Sequence, residues 1–183
     1  MRFSIITVCK NSGAHIKVAL QSVMEQQYSD IEYIVVDGGS TDGTLEILDQ
    51  FRSNIDILIS EPDDGIYNAM NKGLKLVTGD IVYFLNSDDY LTDRSVISDI
   101  ASEFSHNWSI NILFGNVIIF DKKNSNLVKF NKVSRRYFYK NTICHQALFA
   151  KTKLFSEIRN FDEKFLIHAD TDWIMRAYIC REV

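Results

Sequence analysis

Residues Asp80 to Asp89 read Asp-Ile-Val-Tyr-Phe-Leu-Asn-Ser-Asp-Asp, and few folds accommodate that string. Ile81 to Leu85 are five consecutive apolar residues, rich in β-branched and aromatic types, and they follow the turn signal Thr78-Gly79-Asp80. A strand buried on both faces reads this way, and such strands belong to sheets covered by helices on each side. The strand then delivers two adjacent carboxylates, Asp88 and Asp89, at its C-terminal end. In open α/β sheets ligands sit beyond the strand ends. Neighbouring acids repel, so a hard divalent ion completed by a ligand's phosphates fits the pair. A polar turn in which Asp89 caps the following helix fits it as well.

The rest of the N-terminal half repeats the plan. Phe3–Val8, Ile31–Val36 and Ile55–Ile59 read as further strands. Ala14 to Gln27 carries Ile16, Leu20, Val23 and Met24 at helical spacing, and Leu45, Ile47, Leu48 and Phe51 mark a second helix. Ile66, Ala69, Met70, Gly73, Leu74 and Val77 mark a third, closing at Gly79. Ser40 or Thr41 is placed to cap the second helix. Strand and helix alternate, which predicts a parallel sheet with helices on both faces. In such a sheet Thr7, Asp37, Glu61, Asp63 and Asp88 converge on one edge. After a helix over Ser95–Phe104 the pattern changes. Ile112–Phe120, Leu127–Val133 and Ala147–Lys151 read as strands without intervening helices, an antiparallel or mixed extension. A last helix is expected from Trp173.

Composition limits the alternatives. The chain has 183 residues, 46% of them hydrophobic, enough for one well-filled core. The net charge is −4 with acids and bases interspersed, which argues against a nucleic-acid partner. Cys9, Cys144 and Cys180 are too scattered for a disulfide framework or a zinc site, so reduced thiols in the cytoplasm are expected. Met1-Arg2 runs directly into a strand, without a secretory leader. No apolar run approaches the roughly 20 residues that cross a bilayer. The single proline and the absence of repeats leave no internal boundary. Residues 1–183 read as one domain, and because the last helix is cut off at Val183, as one truncated at its C-terminus.

Four segments together resemble glycosyltransferase family 2, the inverting enzymes of GT-A fold. They are Ile5-Ile6-Thr7-Val8 with Asn11, Val36-Asp37-Gly38-Gly39-Ser40-Thr41-Asp42-Gly43-Thr44, Ser60 to Gly73, and Asn86-Ser87-Asp88-Asp89. Ser-Glu-Pro-Asp-Asp-Gly-Ile-Tyr-Asn-Ala-Met-Asn-Lys-Gly, residues 60–73, is similar to a subset in bacterial exopolysaccharide, capsule and lipopolysaccharide synthesis. The resemblance implies a Rossmann-like three-layer sandwich with a mostly parallel central sheet and a mixed C-terminal extension. It implies a nucleotide-sugar donor and a Mn²⁺ or Mg²⁺ ion on the diphosphate, held by Asp88 with Asp89.

The same resemblance assigns further positions. Thr7 and Asp37 meet the nucleotide base, and Asn11, Asp63, Asn68, Lys72, Ser87 and His145 are expected around the donor. Asn86 stands where the family's first metal-motif aspartate is usual and is assigned a ribose hydroxyl. Gly38 stands where many relatives carry a second aspartate, which leaves base recognition to Asp37. Asp170 matches the general base, and Asp172 is the second choice.

The chemistry asks for separate acids. An attacking acceptor hydroxyl needs one positioned carboxylate to take its proton, while the leaving diphosphate needs a cation. The acceptor is expected to be a glycan or a lipid-linked glycan. Arg135-Arg136-Tyr137-Phe138-Tyr139-Lys140 is basic and aromatic, suited to lipid phosphates or headgroups at the inner face of a bacterial membrane, and equally to a plain solvated face. Two other readings stay open. One is a nucleotide-sugar-binding domain without turnover. The other is a nucleotidyltransferase, for which Cys9-Lys10-Asn11-Ser12-Gly13 is a poor phosphate loop.

Overall fold

The structure is a computed structural model that describes residues 1–121, 124–130, 137 and 142–180. Four strands, β1 (Phe3–Cys9), β2 (Ile31–Asp37), β3 (Ile57–Ser60) and β4 (Ile81–Phe84), lie parallel in one sheet. Two more, β5 (Ile112–Phe114) and β8 (Leu148–Lys151), extend it, β8 running antiparallel to both β4 and β5. The six-stranded order is β3-β2-β1-β4-β8-β5. The expected α/β architecture, mostly parallel with a mixed C-terminal extension, is what forms.

Period-two alternation divides the core into two halves. Ile6 and Val8 of β1, Ile34 and Val36 of β2, and Val82 and Phe84 of β4 point to one face. There they meet α3 (Ile66–Leu74), α5 (Lys153–Ile158) and α6 (Ala169–Cys180). Phe3, Ile5, Tyr33, Val35, Ile81 and Tyr83 point to the other, against α1 (Ile16–Met24), α2 (Thr44–Gln50) and α4 (Val96–His106). Both faces are covered, so the parallel strands are mostly apolar on both faces, with Ser4, Thr7, Glu32 and Asp37 as buried polar exceptions. Gly73 lets α3 come down onto β1, since a Cβ there would lie 2.6 Å from Ile6 Cγ2.

Several expectations are corrected. Ile112–Phe120 is not one strand. It breaks at Gly115-Asn116, where Gly115 N–H bonds Ala147 O at 2.7 Å, and its second half is β6 (Val117–Asp121). β6 pairs with β7 (Asn124–Val128) in a separate two-stranded ribbon, so the expected Leu127–Val133 strand starts earlier and ends at Val128. Residues 131–133 of that expectation lie outside the described residues, as does the basic stretch 135–140 apart from Tyr137. α3 stops at Leu74 rather than running to Gly79. α6 starts at Ala169, so Asp170 and Asp172 sit in its first turn instead of ahead of it. Among the described residues no helix is long and apolar enough to cross a membrane.

The edge of the sheet away from the strand C-termini is held by Glu32. Its buried carboxylate accepts from Ser4 Oγ (2.5 Å), Thr78 N–H (2.8 Å) and Thr78 Oγ1 (2.6 Å), with Arg2 at 3.5 Å. Burial pushes this carboxyl up, but those donors and the Arg2 cation outweigh it and hold the group below the usual range. A group lowered on folding stabilises above its unfolded pKa, about 4.3, and loses that contribution as pH falls through the folded value. Glu32→Ala, which strands several donors, is expected to cost about 3 kcal/mol at pH 7. Denaturant unfolding at pH 7 and pH 3 checks this, and the gap between wild type and variant should shrink at the lower pH.

Candidate active site

The strand order reverses between β1 and β4, since β2 and β3 build outward on one side of β1 and β4 joins on the other. At such a switch point the loops leaving the two strands diverge and open a crevice. A cavity of about 380 Å³ lies there, between Val8–Lys10 and Ser12 after β1 and Asn86–Asp88 after β4, with Asp63, Gly65, Ile66 and Ala69 as its third wall. Ser12 Oγ and Ser87 Oγ bond across its floor at 2.8 Å. A second cavity of about 710 Å³ adjoins it, lined by Asp88, Asp89, Tyr90, Cys144, Gln146 and the β6 ribbon among others. Asp88 lines both.

The two acids after β4 have different surroundings. Asp88 is exposed, and no group of the described chain bonds its carboxylate. Asp89 turns inward and accepts from Gln146 Nε2 at 3.0 Å. Burial pushes the Asp89 carboxyl up, Asp88 adds to this, and the Gln146 bond and His145 oppose it, leaving a net rise. Asp89 does not cap α4, because Ser95 N–H and Oγ at the start of that helix both bond Asp93, at 2.8 Å each. Asn86 Oδ1 is buried with no partner. A free carboxylate beside an orphaned carbonyl oxygen is a hard-oxygen donor set, suited to a divalent cation whose other positions a diphosphate fills. No cluster of three or more His, Cys, Asp or Glu side chains placed to hold a metal ion exists among the described residues.

A second constellation lies on α6. Asp170 Oδ2 accepts from His145 Nδ1–H at 2.9 Å, and its Oδ1 accepts from Tyr67 OH (3.1 Å) and Thr171 N–H (2.9 Å). Burial pushes Asp170 up, but the His145 hydrogen bond and charge, with the Thr171 and Tyr67 donors, bring it below the usual carboxylate range. His145 Nε2 is buried without a partner. His145 and Gln146 share a short 3-10 turn, His145–Ala147, so neighbouring residues reach Asp170 and Asp89 respectively.

Asp170 and His145 line neither cavity, and the predicted residues that follow also lie outside them. Asp37 is fully buried at the end of β2 and receives five donors: Gly39 N–H, Ser40 N–H, Ser40 Oγ, Ser60 Oγ and, at 3.7 Å, Cys9 Sγ. Burial pushes its carboxyl up and these bonds bring it down, below its ordinary value. Thr7 is buried one layer beneath and bonds Tyr33 OH at 3.0 Å. Asn11, in left-handed conformation (φ 51°), accepts from Thr41 N–H at 2.9 Å. Lys72 holds the loop after β3 through Pro62 O (2.9 Å) and Glu61 (2.8 Å). Asn68 bonds Glu163 at 2.9 Å. Asp172 pairs with Arg176 at 2.8 Å. Neither Ser40 nor Thr41 caps α2. Asp42 does so from outside the helix, accepting from Thr44 N–H at 3.1 Å and from Gly13 N–H at 3.0 Å.

Three groups escaped the sequence reading. Lys10, beside Asp63 at 3.7 Å, was passed over as part of a turn. Tyr67, which bonds Asp170, sits at a helical core position with nothing to mark its hydroxyl. Glu163, which accepts from both Asn68 and Asn71, lies in a loop without any pattern. Only Lys10 left a signal, as a cation immediately after a strand end.

An open α/β sheet with acids gathered at its switch point defines a GT-A type protein, and the comparisons agree. The chain belongs to glycosyl transferase family 2, whose model matches residues 4–182. It is 33% identical over 180 residues to a PGL/p-HBAD biosynthesis glycosyltransferase of Mycobacterium tuberculosis, covering 96% of this chain and 69% of that protein. Poly(ribitol-phosphate) beta-N-acetylglucosaminyltransferase TarS of Staphylococcus aureus is 33% identical over 107 residues, 56% of this chain and 18% of TarS. The crystal structure of TarS 1-349 in complex with UDP-GlcNAc superposes with a TM-score of 0.82 at 25% identity, covering 98% of this chain and 54% of that one. A mannosyltransferase from Pyrobaculum calidifontis, solved with GDP-Man and Mn2+, shares the fold at a TM-score of 0.71 and 20% identity. The chain thus spans about half of the TarS fragment.

The His145–Asp170 contact can be tested apart from any activity. His145→Ala removes the donor and cation that lower Asp170, so the Asp170 carboxyl should titrate at higher pH in the variant. Carboxyl chemical shifts followed by NMR across the acid range report the direction, and an unmoved or lowered value would contradict the assignment.

Proposed function

We propose that this chain is the donor-binding and catalytic domain of a metal-dependent inverting glycosyltransferase. It moves a sugar from a nucleoside-diphosphate sugar to a hydroxyl of a glycan or lipid-linked acceptor in bacterial surface polysaccharide synthesis. The observation that carries the reading is Asp88. It is a carboxylate that no described residue bonds, standing where two cavities meet, while Asp170 is held separately by His145 and Tyr67. Support also comes from the relatives, TarS among them, whose structure holds UDP-GlcNAc.

In this reading the nucleotide occupies the smaller cavity and the sugar extends past Asp88, with the acceptor reaching it from the Asp170 side. Asp88, with the Asn86 carbonyl and the partly buried Asp89 nearby, would hold Mn²⁺ or Mg²⁺ against the diphosphate, where the ion neutralises charge on the leaving group. The acceptor oxygen attacks the anomeric carbon, the bond from that carbon to the diphosphate oxygen breaks, and its electron pair leaves with the nucleoside diphosphate. The hydroxyl proton passes to Asp170. The lowered pKa keeps Asp170 ionised at neutral pH, and His145 and Tyr67 fix its orientation. Its proton affinity is modest, which suits transfer late in the attack, once the hydroxyl has become acidic. Thr7 and Asp37 shape the loops around the base, and Asn11, Asn68 and Lys72 hold those loops in place. We also infer a cytoplasmic location with peripheral contact at the inner membrane face, on the strength of the donor and acceptor classes alone.

Thermal-shift titration with nucleoside diphosphates and their sugars, with and without Mn²⁺, tests the donor site. A ligand that binds only the folded chain raises Tm with its concentration. A Mn²⁺-dependent rise that disappears in Asp88→Ala is the expected result, and the absence of any rise in the wild type would sink the reading. Asp170→Asn should bind donor as the wild type does while transfer falls about 10²–10⁴-fold. Release of nucleoside diphosphate in the presence of a glycan acceptor measures this.

A further inference from the structure

The side-chain amide of Gln146 is bonded at both ends. Its Nε2–H donates to Asp89 Oδ2 at 3.0 Å, and its Oε1 accepts from Cys144 Sγ–H. Cys144 and Gln146 flank His145 in the chain, so one amide fastens the residues on either side of that histidine, and Asp89 in turn fixes the amide. The far end of the turn has ties of its own: Tyr83 OH donates to Gln146 O at 3.1 Å, and Gly115 N–H to Ala147 O at 2.7 Å. At the near end the turn closes on Cys144 O through Ala147 N–H at 3.0 Å, and the amide braces that closure. Electrostatics place this turn between two acids. Burial pushes the Cys144 thiol up, and the charges of Asp89 and Asp170 both add to it, while His145 is among the groups that oppose the rise of Asp89. His145 reaches Asp170 from the end of two side-chain torsions. A small shift of its backbone therefore carries Nδ1 out of line, and hydrogen bonds weaken steeply as they bend.

We propose that Gln146 is a positioning residue: its amide, anchored on Asp89 and braced on Cys144, sets the direction in which His145 holds Asp170. The inference rests on the reading of Asp170 as the base and adds what aims it. Asp89 follows β4 and Asp170 opens α6, yet each is one hydrogen bond away from one of two consecutive residues. The acid beside Asp88 and the acid that receives the hydroxyl proton are thereby aligned on a single turn. Gln146 takes no part in the proton transfer itself and acts through His145. When the amide is lost, Tyr67 OH (3.1 Å) and Thr171 N–H (2.9 Å) still hold Asp170 Oδ1, so the carboxylate stays near its place while its Oδ2 loses a well-aimed partner. A misplacement of about 1 Å at a reacting group costs on the order of 10²-fold in rate, so a loose aim is enough to matter.

Gln146→Met keeps the length of the side chain and removes the amide. In the wild-type background it should make the Asp170 carboxyl titrate at higher pH, by about 0.3 or more, because a hydrogen bond to the charged form is weakened. Carboxyl chemical shifts followed by NMR, without substrate or metal, read this out. In the His145→Ala background the same substitution should move Asp170 by less than about 0.1, since the route runs through the histidine. Gln146→Ala, which cannot overfill the turn, gives the same signs, and an intact melting transition confirms that each variant folds. An unmoved Asp170 in both Gln146 variants, or an equal rise with and without His145, would overturn the proposal. Transfer assays carry the same cycle. Gln146→Met should slow transfer about tenfold, and the double variant should stay within about threefold of His145→Ala alone. Effects that multiply would count against the link. If Asp170→Asn transfers like the wild type, the reading of Asp170 as the base fails, while the titration cycle still decides whether Gln146 aims it.

Discussion

A carboxylate withdrawn from water at the end of β2 is the constraint on which the working edge of the sheet depends. An unpaired buried charge is costly enough that a chain must surround it with donors or protonate it. Asp37 takes the first course, and its donors come from the ends of three strands: Cys9 on β1, Ser60 on β3, and Gly39 and Ser40 in its own loop. Because it must receive two consecutive N–H groups, the chain bends back directly after β2, with Gly39 in the left-handed region at φ 78°. Ser40 passes the effect on. Its hydroxyl donates to Asp37 and accepts from Asn11 N–H at 2.7 Å, so the loop after β1 is positioned through the same group. The wall of the nucleotide-sized cavity is thereby set by a residue that does not line it.

The acids of this chain are sorted by how many donors each receives. Glu32 and Asp37 are saturated, and both lie where a strand must be tied to its neighbours. Asp170 is bonded on each oxygen yet close to a histidine and a tyrosine, an arrangement that fixes direction and lowers proton affinity. Asp63 and Asp89 are half satisfied, each with one oxygen engaged by the chain. Asp88 receives no donor from any described residue. Hydrogen bonding within the fold uses up a carboxylate's capacity for ligands, so the less satisfied an acid is, the more it remains open to a cation or a substrate group. On this ground Asp88 is the most open of these acids, with Asp63 and Asp89 next, and Asp170 is the one whose direction the fold fixes.

The N-terminal half was legible because its four strands are apolar on both faces and its helices are amphipathic. Burial alone dictates those patterns, and they survive in one dimension. The second half was less so. Val117-Ile118-Ile119-Phe120 is as apolar as β4, yet Ile119 and Phe120 are more than half exposed in the ribbon. Composition cannot separate a buried strand from an exposed one, and the break at Gly115 was the only clue. α5 is six residues long, too short to show a period. The site was legible as a list of acids but not as a set of roles. Asp37 and Asp63 look equivalent along the chain, each an acid after a strand. What separates them is the count of donors around each, and those donors come from residues up to 28 positions away. Asp172, the second choice for the base, is paired with Arg176 one helical turn on, which nothing in the sequence order of the acids announces.

Asn86 departs from the family's acidic pattern, and the turn after β4 supplies a physical reason. Asp89 is already pushed up by burial and by the charge of Asp88. A third carboxylate at residue 86, within the same turn that Asp89 N–H closes onto Asn86 O at 3.1 Å, would add to the repulsion already present between Asp88 and Asp89. An amide keeps a carbonyl oxygen at that place without the charge. Its Oδ1, buried and without a partner among the described residues, retains the capacity to accept a hydroxyl. Fewer negative charges make a weaker cation site in the empty chain. In the proposed reading, cation binding would then depend more strongly on the diphosphate than on the chain.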